Sequence, residues 1–409
     1  MVPLVTLITP SHGDRWQTLN DWLGAHRDFW RPAPFAQPTP EWTHHWPELA
    51  RQVAGLSDDD CQRFEDDPPA LARMLETLLP SLAQMQKLIA LPSLADEAQA
   101  QALTLAEVRA RDMPGRKRLQ SGAFAAAVRP LHGPVVDWCC GKGHLARTLL
   151  TVCDHPIIGY EWDPALVEDG NRLVQRYGDP VTLVRQDVMA DDLNLPPGVH
   201  GVGLHACGDL HRRLMTQAVQ QKLPRLSVAP CCFHLSVKSD YQPLSQTARQ
   251  WPGCLDVTRA ELKLAVEETV TAPARVRNQV QTFSQWRLGF DGLQRELRQV
   301  DEYLPVPSHP GWVARGDFEQ FCRWAAAKKQ LALPENVDFA VWYEHGARRL
   351  AQVRRHDLVR HLFRRSLELW LVQDYARFLE EQGYQVRLGT FCDRNLTPRN
   401  ILIDAVLGQ

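Results

Sequence analysis

Between Val135 and Ala229, short runs of β-branched and apolar residues alternate with longer stretches in which apolar positions recur every three or four residues. The first pattern suits buried strands and the second amphipathic helices. The periods predict strands at Val135–Trp138, Pro156–Glu161, Val181–Arg185, Val199–His205 and Leu226–Ala229. Helices are predicted over Gly143–Val152, Pro164–Tyr177 and Asp209–Gln221. Strands joined by helices run parallel, so a doubly wound α/β sheet is expected. Near the end of the chain, Val386–Phe391 and Ile401–Val406 flank a polar turn and read as two more strands, an antiparallel pair that closes the sheet.

Elsewhere the period is helical. Leu71, Met74, Leu75, Leu78, Leu79, Leu82, Met85 and Leu88 predict a helix from Leu71 to Leu91, and a second runs from Asp96 to Arg111. A turn and a small-residue helix over 112–130 lead into the first strand. Residues 240–380 read as mostly helical, with loops around Leu304–Gly311 and Leu333–Asn336. The expected division is a mainly helical region at 1–111, an α/β core at 112–238, a helical insertion at 239–382 and a closing hairpin at 383–409.

The 409 residues are 44% apolar and 23% charged with a net charge of −2, which suits a globular chain and announces no polyanion-binding protein. No basic stretch followed by an apolar one opens the chain, and no apolar run reaches the roughly 18 residues that a bilayer requires. A cytoplasmic location is expected. Ten cysteines include the neighbours Cys139–Cys140 and Cys231–Cys232, which are poorly placed to bridge each other, so reduced thiols are expected.

The chemistry gathers where strands end. After Asp137, Cys139 to Gly143 form a small-residue turn in which Gly141 and Gly143 permit close backbone approach, with Lys142 between them. Glu161 lies twenty residues beyond Gly141, where a dinucleotide-type fold places an acceptor for ribose hydroxyls; Asp163 is the alternative. Asp187 ends the third strand and could accept from an adenine amino group. Acidic strand ends beside a short glycine turn fit S-adenosylmethionine better than a dinucleotide, because no pyrophosphate needs cradling. Asp137 would then face the methionine part. The fourth and fifth strands end in Leu204-His-Ala-Cys-Gly-Asp-Leu210 and Val228-Ala-Pro-Cys-Cys-Phe-His234, which should border the same cleft.

These motifs resemble those of the class I methyltransferase group with G-K-G-x-L, L-H-x-C-G-D and C-C-Y-H. That group includes the methyltransferase domain of glutathione S-transferase C-terminal-domain-containing proteins, and the tRNA acceptor-stem 2′-O-methyltransferases are similar at corresponding places. Thr397-Pro-Arg-Asn400 resembles the group's S-P-R-N, and Arg116-Lys117 its upstream basic pair. The resemblance covers about 112–238 and 384–408. It implies a Rossmann-like, seven-stranded sheet and a cofactor site of Lys117, Asp137, Cys139, Gly141, Lys142, Gly143, Glu161, Asp163, Asp187 and His205. Three residues depart from it: Cys139 stands for Gly or Ser, Pro230 for Gly, and Phe233 for Tyr, which removes a hydroxyl from possible substrate contact.

Methyl transfer asks the protein for alignment and, where the acceptor carries a proton, a base. His234 is the favoured base because neutral imidazole accepts a proton near pH 7; His205 and Asp209 are the alternatives. Cys231 and Cys232 can pack, shape the acceptor pocket or act as nucleophiles. Convergence of Cys139, Cys140, Cys207, Cys231, Cys232 and His234 on a metal is set aside, since no C-x-x-C pair occurs and adjacent cysteines make awkward tetrahedral ligands. An arginine-rich amphipathic helix at 347–372 suits phosphate, and hence RNA, although acidic residues near Val266 interrupt any basic groove. A tRNA, rRNA or protein acceptor is expected. The competing functions are a non-catalytic binding protein and a Cys/His metal-centred redox protein.

Overall fold

The computed structural model describes residues 11–235, 240–267 and 274–408. Seven strands form one sheet in the order β3-β2-β1-β4-β5-β7-β6. They are β1 (Val135–Trp138), β2 (Ile157–Glu161), β3 (Val181–Arg185), β4 (His200–Cys207), β5 (Arg225–Cys231), β6 (Tyr384–Thr390) and β7 (Ile401–Leu407). The first five are parallel, and β7 runs antiparallel to both β5 and β6. This is the doubly wound sheet that the alternating periods predict, in the Rossmann-like, seven-stranded form that the resemblance implies. All four residues of β1 are buried, as a central strand covered on both faces requires.

Four helices position the candidate site: α1 (Gly115–Val128), α2 (His144–Leu149), α3 (Pro164–Tyr177) and α4 (Asp209–Gln220). Helix α1 is rich in small residues because the side from Gln120 to Val128 is wholly buried. Trp138 is fully buried, and its indole N–H donates to the Leu210 carbonyl at 3.0 Å, which ties β1 to the start of α4.

The β7 return is fixed by charge as well as by the ladder. Asp404 is buried, and its carboxylate accepts from Arg225 at 2.9 and 3.0 Å, from Arg387 at 2.8 Å and from the Ser227 hydroxyl at 2.7 Å. Burial pushes this carboxyl up, but the hydrogen bonds and charge of Arg225 outweigh it and leave it below the ordinary value.

The chain divides into two compact units. One contains the sheet, built from the described parts of Met1–Gly24, Leu88–Thr271 and Arg364–Gln409. The other is built from Ala25–Lys87 and Ala272–Phe363. Its core packs Trp286, Phe290, Phe321 and Trp324 from the helices Ala274–Arg298 and Phe318–Lys328.

Three helical expectations are corrected. The Leu71–Leu91 period is two helices, Pro68–Leu75 and Leu82–Ile89, because Pro80 has no amide hydrogen and disfavours helical backbone before it. The Asp96–Arg111 period yields Glu97–Ala102 and one 3₁₀ turn at Glu107–Arg109. There the Thr104 hydroxyl takes the Ala100 carbonyl, while its amide bonds Gln101. The arginine helix expected at 347–372 is split into Phe339–His361 and Arg364–Glu381.

Removing the Asp404 carboxylate leaves the part-buried Arg225 guanidinium and the buried Ser227 hydroxyl without their shared acceptor, so Asp404→Ala should lower unfolding free energy by about 1–3 kcal/mol. Because the folded-state value is depressed, Asp404 contributes stability above the ordinary carboxyl range and loses it as pH falls through its lowered folded value. Denaturant titrations of wild type and variant should therefore converge under acid; a constant gap from neutral pH downward contradicts the assignment.

Candidate active site

Strand order reverses between β1 and β4, and a crevice opens at the carboxyl ends of strands where this happens. The turn after β1 lies there. Cys139, Gly141 and Gly143 have φ of 57°, 57° and 70°, and Gly143 caps α2 in the left-handed conformation. A Cβ at Gly141 would meet no protein atom, so glycine is required there by backbone angle alone. Beneath the turn the reason differs: a Cβ on Gly159 of β2 would come within 2.6 Å of the Cys140 sulfur. Cys140 therefore packs on the neighbouring strand.

Glu161, at the end of β2, clamps the turn. One carboxylate oxygen accepts from the Gly141 amide at 2.9 Å, and the other accepts from Trp162 at 2.9 Å and Asp163 at 3.1 Å. Asp137 is buried and accepts from the Ala146 amide at 3.1 Å. Burial pushes its carboxyl up to about 7, against the pull of the Ala146 amide and with a push from the Glu161 charge.

The other expected cofactor residues fall into distinct places. Asp163 caps α3 by accepting from Ala165 at 2.8 Å. Asp187 is exposed beyond β3 and accepts from Met189 at 2.9 Å. Lys142 pairs with Asp169 of α3 at 2.7 Å. Lys117 is exposed on α1, close enough to His144 and His205 for its charge to disfavour their protonation.

At the end of β4 a register shift between Leu204 and Cys207 bulges the strand, and His205 takes φ of 64°. Its Nε2 shares a hydrogen bond with Gln120 Oε1 at 3.2 Å. Burial, then the charge of Arg399, brings its pKa down to about 4, so the ring is neutral at pH 7. Asp209 begins α4 at 3.9 Å from Arg212.

Beyond β5, Cys232 has φ of 49°, and the sulfurs of Cys207, Cys231 and Cys232 all lie within 4.8 Å of one another. The separation between Cys207 and Cys231 is 3.6 Å. Cys139, Cys140 and His234 do not join this group. His234 is half-buried, and its Nδ1 is enclosed without a hydrogen-bond partner among the described residues. Phe233 lies in the core against His211 and Tyr375.

Four residues of this edge were not singled out in the sequence. Gln120 holds His205 while donating to the Leu396 carbonyl at 2.9 Å. His144 follows the glycine turn; burial, then Lys117, brings its pKa down to about 4, and its Nδ1 has no partner among the described residues. His211 is buried and shares a bond with the Ala206 carbonyl at 3.0 Å. Arg399, within the Thr397–Asn400 motif, donates to the Val266 carbonyl at 2.5 Å and faces Cys207, Cys232 and His205 electrostatically. The motif was a signal for Arg399, whereas nothing in the pattern marked Gln120.

The arginines expected to bind RNA are engaged within the protein. Arg349 donates to the Pro34 carbonyl, Arg354 pairs with Glu65 at 2.6 Å, and Arg355 donates to the Leu56 carbonyl. Arg360 donates to the Trp30 carbonyl, and Arg365 to Glu368 and Asn400. These five arginines are committed within the protein, while Arg348 is exposed. No helix among the described residues is long and apolar enough to cross a membrane.

If Glu161 holds the glycine turn through the Gly141 amide and its own turn through Trp162 and Asp163, Glu161→Ala should cost about 1–3 kcal/mol of stability with no ligand present. Hydrogen exchange should show the Gly141 amide among the first deprotected. Unchanged protection there would refute the clamp.

A family model described as a methyltransferase domain matches residues 125–238. A comparison with curated protein sequences finds no match. Among solved structures, the chain is 21% identical to the 23S rRNA methyltransferase ErmE over 28% of this chain and 46% of that one, with a TM-score of 0.23. An rRNA methylase from Streptococcus thermophilus is 11% identical over 28% of this chain and 71% of its own, at 0.23. A geranyl diphosphate methyltransferase in complex with SAM is 19% identical over 34% and 59%, at 0.25. The chain thus spans under half of ErmE, and likeness this slight adds nothing to the strand order and the family match. Residues 125–238 are a methyltransferase domain, carried on a Rossmann-like sheet, and the methyl donor of such a domain is S-adenosylmethionine.

Proposed function

We propose that the chain transfers a methyl group from S-adenosylmethionine to RNA. The observation that carries the reading is the turn Cys139–Gly143, held by Glu161 at the β1/β4 switch point with buried Asp137 beneath it. The donor, when bound, supplies an electrophilic methyl group on a cationic sulfur. Asp137 fits that cation, because a carboxyl poised near neutrality ionises when a positive charge comes close. Glu161 already accepts three amides, so of its roughly four lone-pair directions few remain for ribose hydroxyls. Its role is divided between shaping the turn and receiving the ribose. Gly141, Gly143 and Cys139 would shape the methionine end, and Asp187 the adenine end.

His234 is proposed as the base, since its ring nitrogen has no partner within the described protein. His205, bonded to Gln120, is proposed to line the cleft, with Asp209 behind it. An RNA acceptor is supported by Lys117, exposed on α1, whose charge reaches His205 at the end of β4. The resemblance to methyltransferases with L-H-x-C-G-D and C-C-Y-H motifs points the same way, and a cytoplasmic location is part of the same proposal.

Labelled methyl transfer into total cell extract, split by nuclease and protease, tests the acceptor. Label lost to nuclease is expected; label lost to protease assigns a protein acceptor, and binding of the donor without transfer leaves a non-catalytic binding protein. With the RNA acceptor, His234→Ala should lower kcat by about 10²–10⁴-fold while leaving donor affinity unchanged.

The donor's pH dependence follows from Asp137. Its raised carboxyl is protonated below about 7, so calorimetric affinity for S-adenosylmethionine should climb as pH rises towards about 7 and level off above it. S-adenosylhomocysteine, with an uncharged sulfur, should climb less. Parallel profiles for the two ligands would remove Asp137 from the cation's surroundings.

A further inference from the structure

Three thiols meet at the ends of β4 and β5 although the chain gives them no simple reason to. Along an extended strand, neighbouring side chains point to opposite faces, so Cys231 and Cys232 should diverge. Cys232 leaves the alternation by adopting φ of 49°, and its sulfur comes to lie within 4.8 Å of both other sulfurs. Cys207 is brought opposite Cys231 by the bulge in β4, which passes through His205 at φ of 64°. Left-handed backbone is costly for a non-glycine residue, and here two such residues serve one convergence. Thiols that merely fill space do not require it.

The spacing is chemically specific. The 3.6 Å between Cys207 and Cys231 is far beyond a disulfide's roughly 2.05 Å. It lies close to the edge of about 3.8 Å that a tetrahedron with 2.3 Å metal–sulfur bonds possesses. Three thiolates around a divalent ion leave one negative charge, and the Arg399 guanidinium faces Cys207 and Cys232 to offset it. The Cys207 and Cys231 sulfurs also lie within reach of the backbone carbonyls of His205 and Ala206. The objection that adjacent cysteines ligate awkwardly thus fails at the φ of Cys232.

We propose that Cys207, Cys231 and Cys232 form a three-thiolate site for a thiophilic divalent cation of the zinc class, with the fourth position left to a small exchangeable ligand. His234 lies outside the group and keeps its separate place. Binding releases the proton of each thiol that ligates to solvent. The inference does not rest on methyl transfer; a chain with no transferase activity would still hold the metal.

The full chain, exposed to zinc under reducing conditions and freed of loose metal, should carry one zinc by elemental analysis. Loaded with cobalt(II), it should show thiolate charge-transfer and tetrahedral d–d absorption. Cys207→Ser and Cys232→Ser should each weaken zinc binding by at least about tenfold, while Cys254→Ser, outside the cluster, should not. Wild-type protein gives a measurement independent of variant folding: in mass-mapped alkylation, zinc should protect the part-exposed Cys207 and Cys232 and leave Cys254 equally reactive. Substoichiometric zinc in the wild type, or alkylation of Cys207 and Cys232 indifferent to zinc, overturns the site.

Discussion

A carboxylate that accepts from main-chain amides organises the carboxyl edge of the sheet. Glu161 reaches from the end of β2 to Gly141 in the neighbouring turn and to Trp162 and Asp163 in its own. The hydrogen bond to Gly141 crosses between two strand ends and thereby fixes the height of the glycine turn above the sheet. The angle at which α2 leaves depends on that turn, through the left-handed Gly143. The amide that Ala146 offers to Asp137 depends on it in turn. A ligand-binding edge in an α/β sheet needs this rigidity, because a loop free to shift would dissipate binding energy in ordering itself.

Conformational strain falls at the same edge. Cys139, His205 and Cys232 are non-glycine residues with positive φ, at the carboxyl ends of β1, β4 and β5 respectively. Such backbone persists where the surroundings over-determine it, and it gathers where side chains must be aimed. Here the aim is visible: His205 meets Gln120, and Cys232 meets Cys207 and Cys231. Electrostatics at this edge is equally uneven. Burial keeps His144 and His205 neutral while Lys117 and Arg399 supply fixed positive charge nearby. A buried carboxyl and a group of thiols are thus set within a cationic rim.

Six arginines away from this edge serve the fold. Arg225 and Arg387 neutralise Asp404 and hold the antiparallel strand in register, and Arg349, Arg354, Arg355 and Arg360 bind carbonyls and carboxylates inside their own unit. A guanidinium with five donors satisfies such sites better than an ammonium does.

The sheet was legible because strand and helix periods are local properties, and alternating them leaves one topology in which apolar faces are all covered. The spacing of Gly141 and Glu161 was legible for a related reason: a strand-turn-helix-strand unit has a nearly fixed length. Helix ends were less so, since Pro80 and the Thr104 hydroxyl interrupt periods that the apolar residues alone would continue. The arginine stretch misled because periodicity records which side is polar and not what that side meets. Contacts between residues far apart in the chain were decided only in three dimensions. Gln120 pairs with His205 across 85 positions, Arg399 arrives at the cysteines from the closing segment, and the two strained residues turn three separated thiols onto one point. The sequence by itself determined the order of the sheet's strands and helices and which residues stand at the strand ends; the tertiary structure alone decided which side chains touch, because backbone angles at a few strained positions, and not spacing, set their directions.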